Sequence, residues 1–209
     1  MRPFYRFVKT IVFVFFKLFY RISASGLENL PEAGGYIIAP NHASLLDPPA
    51  VGCVLPHEVS FFAKKELMPV PLLGFLMRYT RTIPVDRKRF SPGSLKEMVR
   101  TLKRGRPVII FPEGTRTRTG RFLPPKKGVG MVAVMAGVPV VPCLITGTFR
   151  AKPFFSRIGI HFLPAFRPGE IDTPTKKDHY LLVSERIMCD IKRLHEKING
   201  RSLDRAKSS

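Results

Sequence analysis

Short apolar runs that alternate with helical patterns constrain the fold of this chain more than any other feature. Runs of this kind, bounded by glycine, proline and polar residues, predict buried strands. They cover Tyr36–Ala39, Val59–Ala63, Thr82–Val85, Pro107–Phe111, Val138–Thr146 and Ile158–Leu163. Apolar residues at helical spacing predict helices at 48–55, from Ser94 to just before Gly105, at 128–136 and at 182–198. This alternation favours an α/β architecture, which we expect to be a mixed sheet flanked by helices.

Several residues also predict where elements begin and end. Ser94 and Glu97 have the spacing of a capping box at the start of a helix, and Gly105 suits the position just after its end. Two prolines inside the Val138–Thr146 run predict a strand that is bulged or near the edge of the sheet. Gly200 is expected to end the last helix, with a polar, frayed tail to Ser209.

Residues 1–22 form a separate segment with a membrane-like pattern. On a helical wheel the basic residues fall within an arc of about 120°, and the rest of the circumference is mostly aromatic and aliphatic. The basic residues are Arg2, Arg6, Lys9, Lys17 and Arg21. This pattern predicts a helix lying in the membrane interface, with lysine and arginine reaching the headgroups. A core helix and a membrane span over residues 4–22 are the alternatives. We therefore divide the chain into a membrane-associating helix, 1–22, and a single domain, 23–209.

Charge and cysteine content narrow the classes of partner and compartment. The net charge of +20 implies an anionic partner, which is a membrane surface, a nucleic acid or an acidic ligand. Cys53, Cys143 and Cys189 lie far apart in the sequence, so they fit neither a disulfide framework nor a metal site. None of the histidines pairs at metal-ligand spacing, and we expect no metal.

His42 and Asp47 follow the first predicted strand of the domain and stand five positions apart. That offset separates two side chains on a helix or a strand, so they can meet only if the chain turns between them. If they meet, Asp47 fixes one ring nitrogen of His42 and leaves the other as a base. A base without a neighbouring serine or cysteine nucleophile suits activation of a substrate hydroxyl. In the alternative interpretation Asp47 caps a helix that begins with Pro48, and His42 is an ordinary loop histidine.

A second polar cluster follows the predicted strand that ends at Phe111. Ligands of α/β sheets bind beyond the carboxyl ends of strands, so this cluster and His42 are expected to face one crevice. Gly114 allows a ligand to approach the backbone, and Thr115 and Arg116 carry groups that match phosphate oxygens. Glu113 stands among many basic residues and is expected to orient Arg116 or another donor of the loop.

Together these segments resemble the sequence blocks of the glycerolipid acyltransferases, most closely the 1-acyl-sn-glycerol-3-phosphate (lysophosphatidic acid) acyltransferases. The resemblance covers roughly residues 26–165 and depends on the combination of blocks. They are His42 with Asp47, Lys64-x-x-Leu67 with Pro71 and Gly74, Val85-Asp86-Arg87, Phe111-Pro-Glu-Gly-Thr-Arg116, and Val138-Pro139 with Pro142. The sequence departs from the family pattern at Arg81, where glycine is common, and at Thr117, where serine is common.

The resemblance implies a role for each matching residue. His42 is the general base that deprotonates the acceptor hydroxyl, and Asp47 orients it. The phosphate of the acceptor is bound by Glu113, Gly114, Thr115 and Arg116, together with Lys64. The acceptor is a lysophospholipid, and the acyl donor is a thioester of coenzyme A or acyl carrier protein. No cofactor and no metal are required, the enzyme is membrane-associated, and its active site is on the cytoplasmic side.

Two other functions stay open at this point. One is acyl transfer to a different acceptor, such as glycerol 3-phosphate or a lyso-aminolipid. The other is a basic module that binds membranes or nucleic acid through its charge alone. A charge-driven binder has no use for an aligned base, and aromatic residues are not interleaved with basic ones as a base-stacking surface requires. We therefore expect an anionic membrane surface as a partner and no nucleic acid.

Overall fold

The computed structural model describes residues 1–64, 82–85, 92–172 and 175–207. The strands are β1 (Ser23–Ser25), β2 (Ile37–Pro40), β3 (Ser60–Lys64), β4 (Ile83–Val85), β5 (Val108–Ile109), β6 (Val140–Thr146) and β7 (Gly159–Phe162). The helices of the described part are α1 (Pro3–Tyr20), α2 (Asp47–Val54), α3 (Pro92–Lys103), α4 (Lys127–Ala136) and α5 (Lys176–Lys207). Short 3₁₀ turns lie at Leu27–Asn29 and Pro168–Glu170.

The strands form one mixed sheet in the order β1-β7-β6-β2-β5-β3-β4. β6 and β7 are antiparallel, and every other pair of neighbours is parallel. The carboxyl ends of β2, β3, β5 and β6 therefore lie along the same edge of the sheet, where ligands of such sheets bind. The prediction of a mixed α/β sheet flanked by helices is confirmed.

Alternation along the strands buries both faces of the sheet. Ile38 and Val141 point to one face, where α1 and α2 pack, and Ile37 and Val140 point to the other, which α3, α4 and α5 cover. Strands buried on both faces read as continuous apolar runs, and this explains why the sequence identified them. β1 was not predicted, because Ser23-Ala24-Ser25 is exposed at the sheet edge and carries no apolar pattern.

The inner side of α1 packs against the domain. Phe16 and Tyr20 are buried in the core, and the hydroxyl of Tyr5 accepts the backbone N–H of Val59 at 3.3 Å. The ammonium group of Lys9 donates a hydrogen bond to the carbonyl of Leu55. Lys9 therefore helps to hold α1 on the domain, and the expectation that it reaches lipid headgroups is wrong. The boundary between 1–22 and 23–209 stays a prediction.

The outer side of α1 exposes apolar side chains to solvent. Phe7 is 63% exposed and Leu18 is 64% exposed, and between them Ile11, Val14 and Phe15 are exposed as well. Their spacing places all of these residues along one side of the helix. We call this set the apolar face of α1. Within the described residues, no helix combines the length and the apolar character needed to cross a membrane.

The predicted start of α3 is wrong, and its predicted end is confirmed. The helix already includes Pro92, so Ser94 lies inside its first turn instead of capping it. At the other end Gly105 has a φ of +74°. The N–H of Gly105 donates to the carbonyl of Leu102, and the N–H of Arg106 donates to the carbonyl of Thr101. These two bonds form a Schellman motif, which requires a left-handed residue where Gly105 stands.

β6 lies inside the sheet between β2 and β7, so its predicted position near an edge is wrong. Pro142 is tolerated because its carbonyl faces the β7 side, where it accepts the N–H of Leu163. On that side the ladder is interrupted between the Cys143–Phe162 pair and an isolated bridge from Val140 to Phe166. The missing N–H of the proline falls in this interruption.

α5 continues past the predicted end at Gly200 and runs to Lys207. Glycine inside a helix costs about 1 kcal/mol relative to alanine, and this is too little to stop a helix by itself. The residues that follow Gly200 include arginine, leucine, alanine and lysine, which favour helix.

Candidate active site

The side chains of His42 and Asp47 meet, as predicted. Nδ1 of His42 lies 2.8 Å from Oδ2 of Asp47, and both residues are buried. The same carboxylate oxygen accepts the backbone N–H groups of Ala43 and Ser44, each at 2.7 Å. Donors that approach a carboxylate from three directions hold it in one orientation, and the carboxylate in turn orients the ring.

The turn between the two residues is closed by Ser44. Its hydroxyl accepts the N–H of Leu46 at 3.2 Å, and its carbonyl accepts the N–H of Asp47 at 3.4 Å. α2 then begins at Asp47 with Leu46 as its N-cap residue, and no side chain caps it. The interpretation of Asp47 as a helix cap is therefore wrong, because its carboxylate turns back toward His42 and the preceding loop.

Asn41 fixes the point at which the chain leaves β2. Its amide nitrogen donates to the carbonyl of Ile145 at 3.1 Å, and its amide oxygen accepts the N–H of Ile145 at 2.7 Å. The side-chain amide of Asn41 thus forms the two hydrogen bonds with β6 that a further backbone residue of β2 would form. Because this pairing continues the ladder between β2 and β6, the main chain of His42 is free to turn toward the edge of the sheet.

The loop after β5 holds the main chain of His42 from both sides. Oε1 of Glu113 accepts the N–H of His42 at 2.7 Å, and the carbonyl of His42 accepts the N–H of Thr117 at 2.9 Å. Oε2 of Glu113 accepts the N–H of Leu123 at 2.8 Å. Glu113 is only 1% exposed, and its burial raises the pKa of its carboxyl, an effect that the two N–H donors oppose. Within the described part of the chain, Glu113 bonds these backbone groups and not Arg116.

Phe111 stacks on the imidazole of His42, with ring centroids 3.9 Å apart and an angle of 22° between the planes. The ring is therefore fixed by stacking and by the Asp47 contact together. None of the described residues hydrogen-bonds Nε2 of His42, so this nitrogen can accept a proton from a substrate. Oδ1 of Asp47 also has no hydrogen-bond partner within the described part, although it is buried. Its negative charge would stabilise the imidazolium that forms when His42 takes up a proton.

Gly114, Thr115 and Arg116 follow Glu113 and are exposed at the same edge of the sheet. Gly114 has a φ of +68° and closes a turn through its N–H to the carbonyl of Phe111 at 3.0 Å. A Cβ atom at this position would lie 2.9 Å from Cδ of Lys126. The positive φ favours glycine here, and the Lys126 side chain passes directly over its Cα.

Lys126 is a candidate site residue that the sequence analysis did not single out. It is the N-cap residue of α4, and Lys127 is the first residue of the helix, whose first turn contains no acidic residue. Positive charges are unfavourable at the amino terminus of a helix, where the free N–H groups favour an anion. Two lysines at the start of a predicted helix were the sequence signal that could have identified Lys126 as a site residue. Lys126, Thr115 and Arg116 with the start of α4 form a basic, N–H-rich rim that suits a phosphate.

Some of the predicted site lies outside the described residues. Lys64 is the last residue of β3, so its backbone is at the same edge as His42, but its side chain is outside the described part. Arg81 and the block residues Leu67, Pro71, Gly74, Asp86 and Arg87 lie outside the described residues altogether. The assignment of Lys64 to the phosphate site stays a prediction.

Comparison with families and with proteins of known function gives consistent matches. A model of the family described as Acyltransferase matches residues 21–146. The chain is 33% identical over 154 residues to the 1-acyl-sn-glycerol-3-phosphate acyltransferase of Bacillus subtilis (strain 168), covering 73% of this chain and 76% of that protein. It is 36% identical over 140 residues to the chloroplastic 1-acyl-sn-glycerol-3-phosphate acyltransferase BAT2 of Brassica napus. That match covers 65% of this chain but only 40% of the plant protein.

A solved structure has the same fold over nearly the whole chain. It is the crystal structure of the 1-acyl-sn-glycerophosphate (LPA) acyltransferase PlsC from Thermotoga maritima, with a TM-score of 0.73 and 27% sequence identity. The superposition covers 94% of this chain and 84% of that one.

Proposed function

The chain belongs to the acyltransferase family and is an O-acyltransferase, and we propose that its acceptor is lysophosphatidic acid and its product phosphatidic acid. The observation that carries this proposal is the contact between Nδ1 of His42 and Oδ2 of Asp47, at an edge of the sheet that also carries a basic rim. The pair supplies a base for a hydroxyl, and the rim suits a phosphate. The printed names of the relatives support this choice of acceptor.

The proposed reaction uses His42 as a general base. Nε2 of His42 removes the proton of the acceptor hydroxyl as its oxygen attacks the carbonyl carbon of the acyl thioester. The carbonyl oxygen takes up the negative charge in a tetrahedral intermediate. When the C–O double bond reforms, the C–S bond breaks, and the leaving thiolate takes the proton from the imidazolium. The products are the ester and a free thiol, and His42 returns to its neutral state.

A direct transfer agrees with the chemistry of the buried thiols. Burial raises the pKa of Cys53 to about 12 and also raises that of Cys143 well above its ordinary value. Such groups stay protonated at neutral pH and are weak nucleophiles. Because a thiolate is already a good leaving group, a covalent acyl-enzyme brings little advantage. Coenzyme A and acyl carrier protein are both possible donors, and the proposal requires no resident cofactor, metal or nucleic acid.

The basic rim would position the acceptor. The guanidinium of Arg116 can bind two phosphate oxygens at once, and Lys126 with the amino terminus of α4 adds further positive potential. A phosphate fixed there would hold the neighbouring hydroxyl of the same molecule against His42. Glu113 connects the proposed base to the loop that carries the basic rim, because its carboxylate accepts the backbone N–H groups of His42 and Leu123.

We also propose that the protein is attached to the cytoplasmic side of an anionic membrane through α1. The apolar face of α1 is exposed on the side of the helix opposite its buried residues Tyr5 and Phe16. Exposed aromatic and aliphatic residues along a helix, with basic residues beside them, are typical of helices in the membrane interface. Membrane attachment suits an enzyme whose acceptor and product are lipids.

One assay tests the function directly. Purified full-length protein in detergent is incubated with an acyl-coenzyme A or an acyl carrier protein thioester and with lysophosphatidic acid, glycerol 3-phosphate or a lyso-aminolipid. We expect phosphatidic acid from lysophosphatidic acid and at least tenfold lower kcat/KM with the other acceptors, because glycerol 3-phosphate lacks the apolar acyl chain and a lyso-aminolipid lacks the phosphate. Preferential use of another acceptor would contradict the proposed substrate, and the absence of any transfer would favour a charge-driven binding module.

A further inference from the structure

The loop between β6 and β7 carries two exposed aromatic side chains that the proposed reaction does not use. Phe155 is 85% exposed and Phe154 is 61% exposed, which makes them among the most exposed large apolar residues of the described chain. We call Phe154 and Phe155 the aromatic tip. An aromatic pair this exposed on a loop normally marks a surface that contacts something apolar.

The aromatic tip is rigidly held against α1. The N–H of Phe154 donates to the carbonyl of Phe19 at 2.5 Å, and the two rings contact each other with centroids 4.9 Å apart. Behind the tip, the N–H of Ile158 donates to the carbonyl of Tyr20 at 3.1 Å. Two backbone hydrogen bonds and one ring contact therefore attach the loop to the end of α1.

Internal hydrogen bonds give the loop one shape. The N–H of Lys152 donates to the hydroxyl of Ser156 at 2.8 Å, and the N–H groups of Phe155 and Ser156 donate to the carbonyl of Lys152. Phe154 has a φ of +67°, which is unfavourable for a bulky side chain. Phe154 therefore has a backbone conformation that glycine would adopt more easily. In this conformation its ring contacts that of Phe19.

The tip continues the apolar face of α1. Phe15 belongs to that face and contacts Phe19 at a centroid distance of 5.0 Å, and Phe19 contacts Phe154. The row Phe15, Phe19, Phe154 thus joins the exposed side of the helix to the loop without a gap. A surface that engages the apolar face of α1 would reach the tip as well.

The charge around the tip indicates which surface this is. Arg150, Lys152 and Arg157 are exposed in the same loop, and Arg21 is exposed at the end of α1. Between Thr148 and Ile158 the sequence contains no acidic residue. Exposed aromatic side chains in a loop that also exposes basic ones match the interface of a bilayer, where the rings enter the acyl region and the cations meet anionic headgroups.

We propose that the aromatic tip is a second membrane contact, which inserts beside the apolar face of α1 and fixes how the domain is oriented on an anionic bilayer. A single helix in the interface can roll about its own axis. A second contact beside the end of that helix prevents this rotation and keeps one edge of the sheet at a constant angle to the lipid. The inference extends the membrane attachment proposed for α1 but does not depend on the acceptor or the donor.

The natural sequence contains no tryptophan, so single tryptophans can report each surface separately. We would prepare full-length Phe155→Trp, Phe7→Trp for the apolar face of α1, and Met135→Trp as the control. Met135 is 44% exposed and lies on α4, which covers the opposite face of the sheet. Each variant is mixed with vesicles of equimolar phosphatidylcholine and phosphatidylglycerol, with and without brominated acyl chains. We expect blue-shifted, bromine-quenched emission for Phe155→Trp and Phe7→Trp and no change for Met135→Trp.

The possible outcomes separate the two membrane contacts. Quenching of Phe7→Trp without Phe155→Trp would overturn the second contact and leave the attachment by α1 intact. Quenching of neither variant would overturn both. A blue shift of Phe155→Trp that grows with protein concentration in the absence of lipid would assign the tip to self-association and overturn the inference.

Vesicle binding of a variant without the Phe155 ring measures how much the aromatic tip contributes to membrane affinity. Phe155→Ser should lower the partition coefficient onto these vesicles by about tenfold or more, because one buried aromatic side chain contributes about that much. Met135→Ser is the matched control and should leave partitioning unchanged. In detergent micelles Phe155→Ser should retain wild-type acyl transfer, so a defect confined to vesicles is expected. Unchanged partitioning of Phe155→Ser would contradict the inference.

Discussion

Oε1 of Glu113 accepts the backbone N–H of His42 at 2.7 Å, although the two residues are 71 positions apart. The other carboxylate oxygen accepts the N–H of Leu123 at 2.8 Å. One buried side chain therefore joins the loop after β2 to the loop after β5. Since the proposed base is in the first loop and the basic rim extends from the second, this carboxylate sets the distance between them.

The buried carboxyl of Glu113 predicts a specific dependence of stability on pH. Burial, the largest effect, raises its pKa above the ordinary value of 4.5. A carboxyl with a raised pKa contributes stability that is fully present below the ordinary value and is lost as the pH rises through the folded value. The free energy of unfolding of wild type minus that of Glu113→Gln should therefore fall as the pH rises above the ordinary value of 4.5. Urea unfolding across this range measures it, and a difference that rises with pH would show that the N–H donors outweigh burial.

Arg116 tests the phosphate site. Arg116→Ala should raise the KM for lysophosphatidic acid and lower kcat, because a misplaced hydroxyl is also less reactive. Arg116→Lys should recover part of the loss, since lysine lacks the two-pronged geometry. Arg118→Ala, an exposed change in the same loop, is the control. On a monoacylglycerol, which has no phosphate, the penalty of Arg116→Ala should nearly vanish. An equal penalty on both acceptors would show that Arg116 only maintains the loop.

The three cysteines distinguish direct transfer from a covalent acyl-enzyme. Cys53 and Cys143 are buried and Cys189 is exposed. At about pH 8 iodoacetamide should modify Cys189 in the folded protein, because the raised pKa values of the buried thiols suppress their reaction. Mass spectrometry should find one modified thiol in the native protein and three after unfolding, with acyl transfer retained after native modification. Loss of activity in step with modification of Cys53 would indicate a thiol nucleophile.

Lys9 and Lys17 both lie on α1 but should have different effects when changed. Lys17 is exposed, so Lys17→Glu should weaken binding to anionic vesicles by about 1 kcal/mol or more and leave stability within about 0.5 kcal/mol. Lys9 donates to the carbonyl of Leu55, so Lys9→Glu should destabilise the fold by about 1–3 kcal/mol. Vesicle sedimentation and urea unfolding of the two variants measure these effects. Equal losses of vesicle binding at unchanged stability would contradict the role given to Lys9.

The sequence predicted the parts of this structure that depend on neighbours along the chain. Strands β2, β5 and β6 were recognisable because they are buried on both sides, and the turn between His42 and Asp47 follows from the asparagine, serine and proline residues around it. Gly105 follows the end of its helix as predicted, and the helix predicted over 128–136 ends at Ala136, just before Gly137; both glycines have positive φ. In each case the residues that decide the conformation lie within one turn of it.

Features that depend on distant groups could not be predicted in the same way. Glu113 was expected to orient a donor of its own loop, but one of its partners is a backbone group of the loop after β2, and no sequence pattern identifies a particular N–H. Lys9 was assigned to the membrane because helical position alone does not show that the carbonyl of Leu55 lies beside it. Pro139 and Pro142 suggested a strand that is bulged or near an edge, and the sequence could not decide between these because the interruption of the ladder on the β7 side is a property of the paired strands.

The proposed role of His42 as the base of acyl transfer can be tested by comparing the turnover of three proteins. The rate of phosphatidic acid formation from lysophosphatidic acid is measured for wild type, His42→Ala and the control His179→Ala. His179 bonds the carbonyl of Pro168 and is not part of the proposed site. We predict that His42→Ala lowers kcat by about 10² to 10⁴ while circular dichroism shows an intact fold, and that His179→Ala stays near wild type. A folded His42→Ala variant with near-normal turnover would show that His42 is not the base.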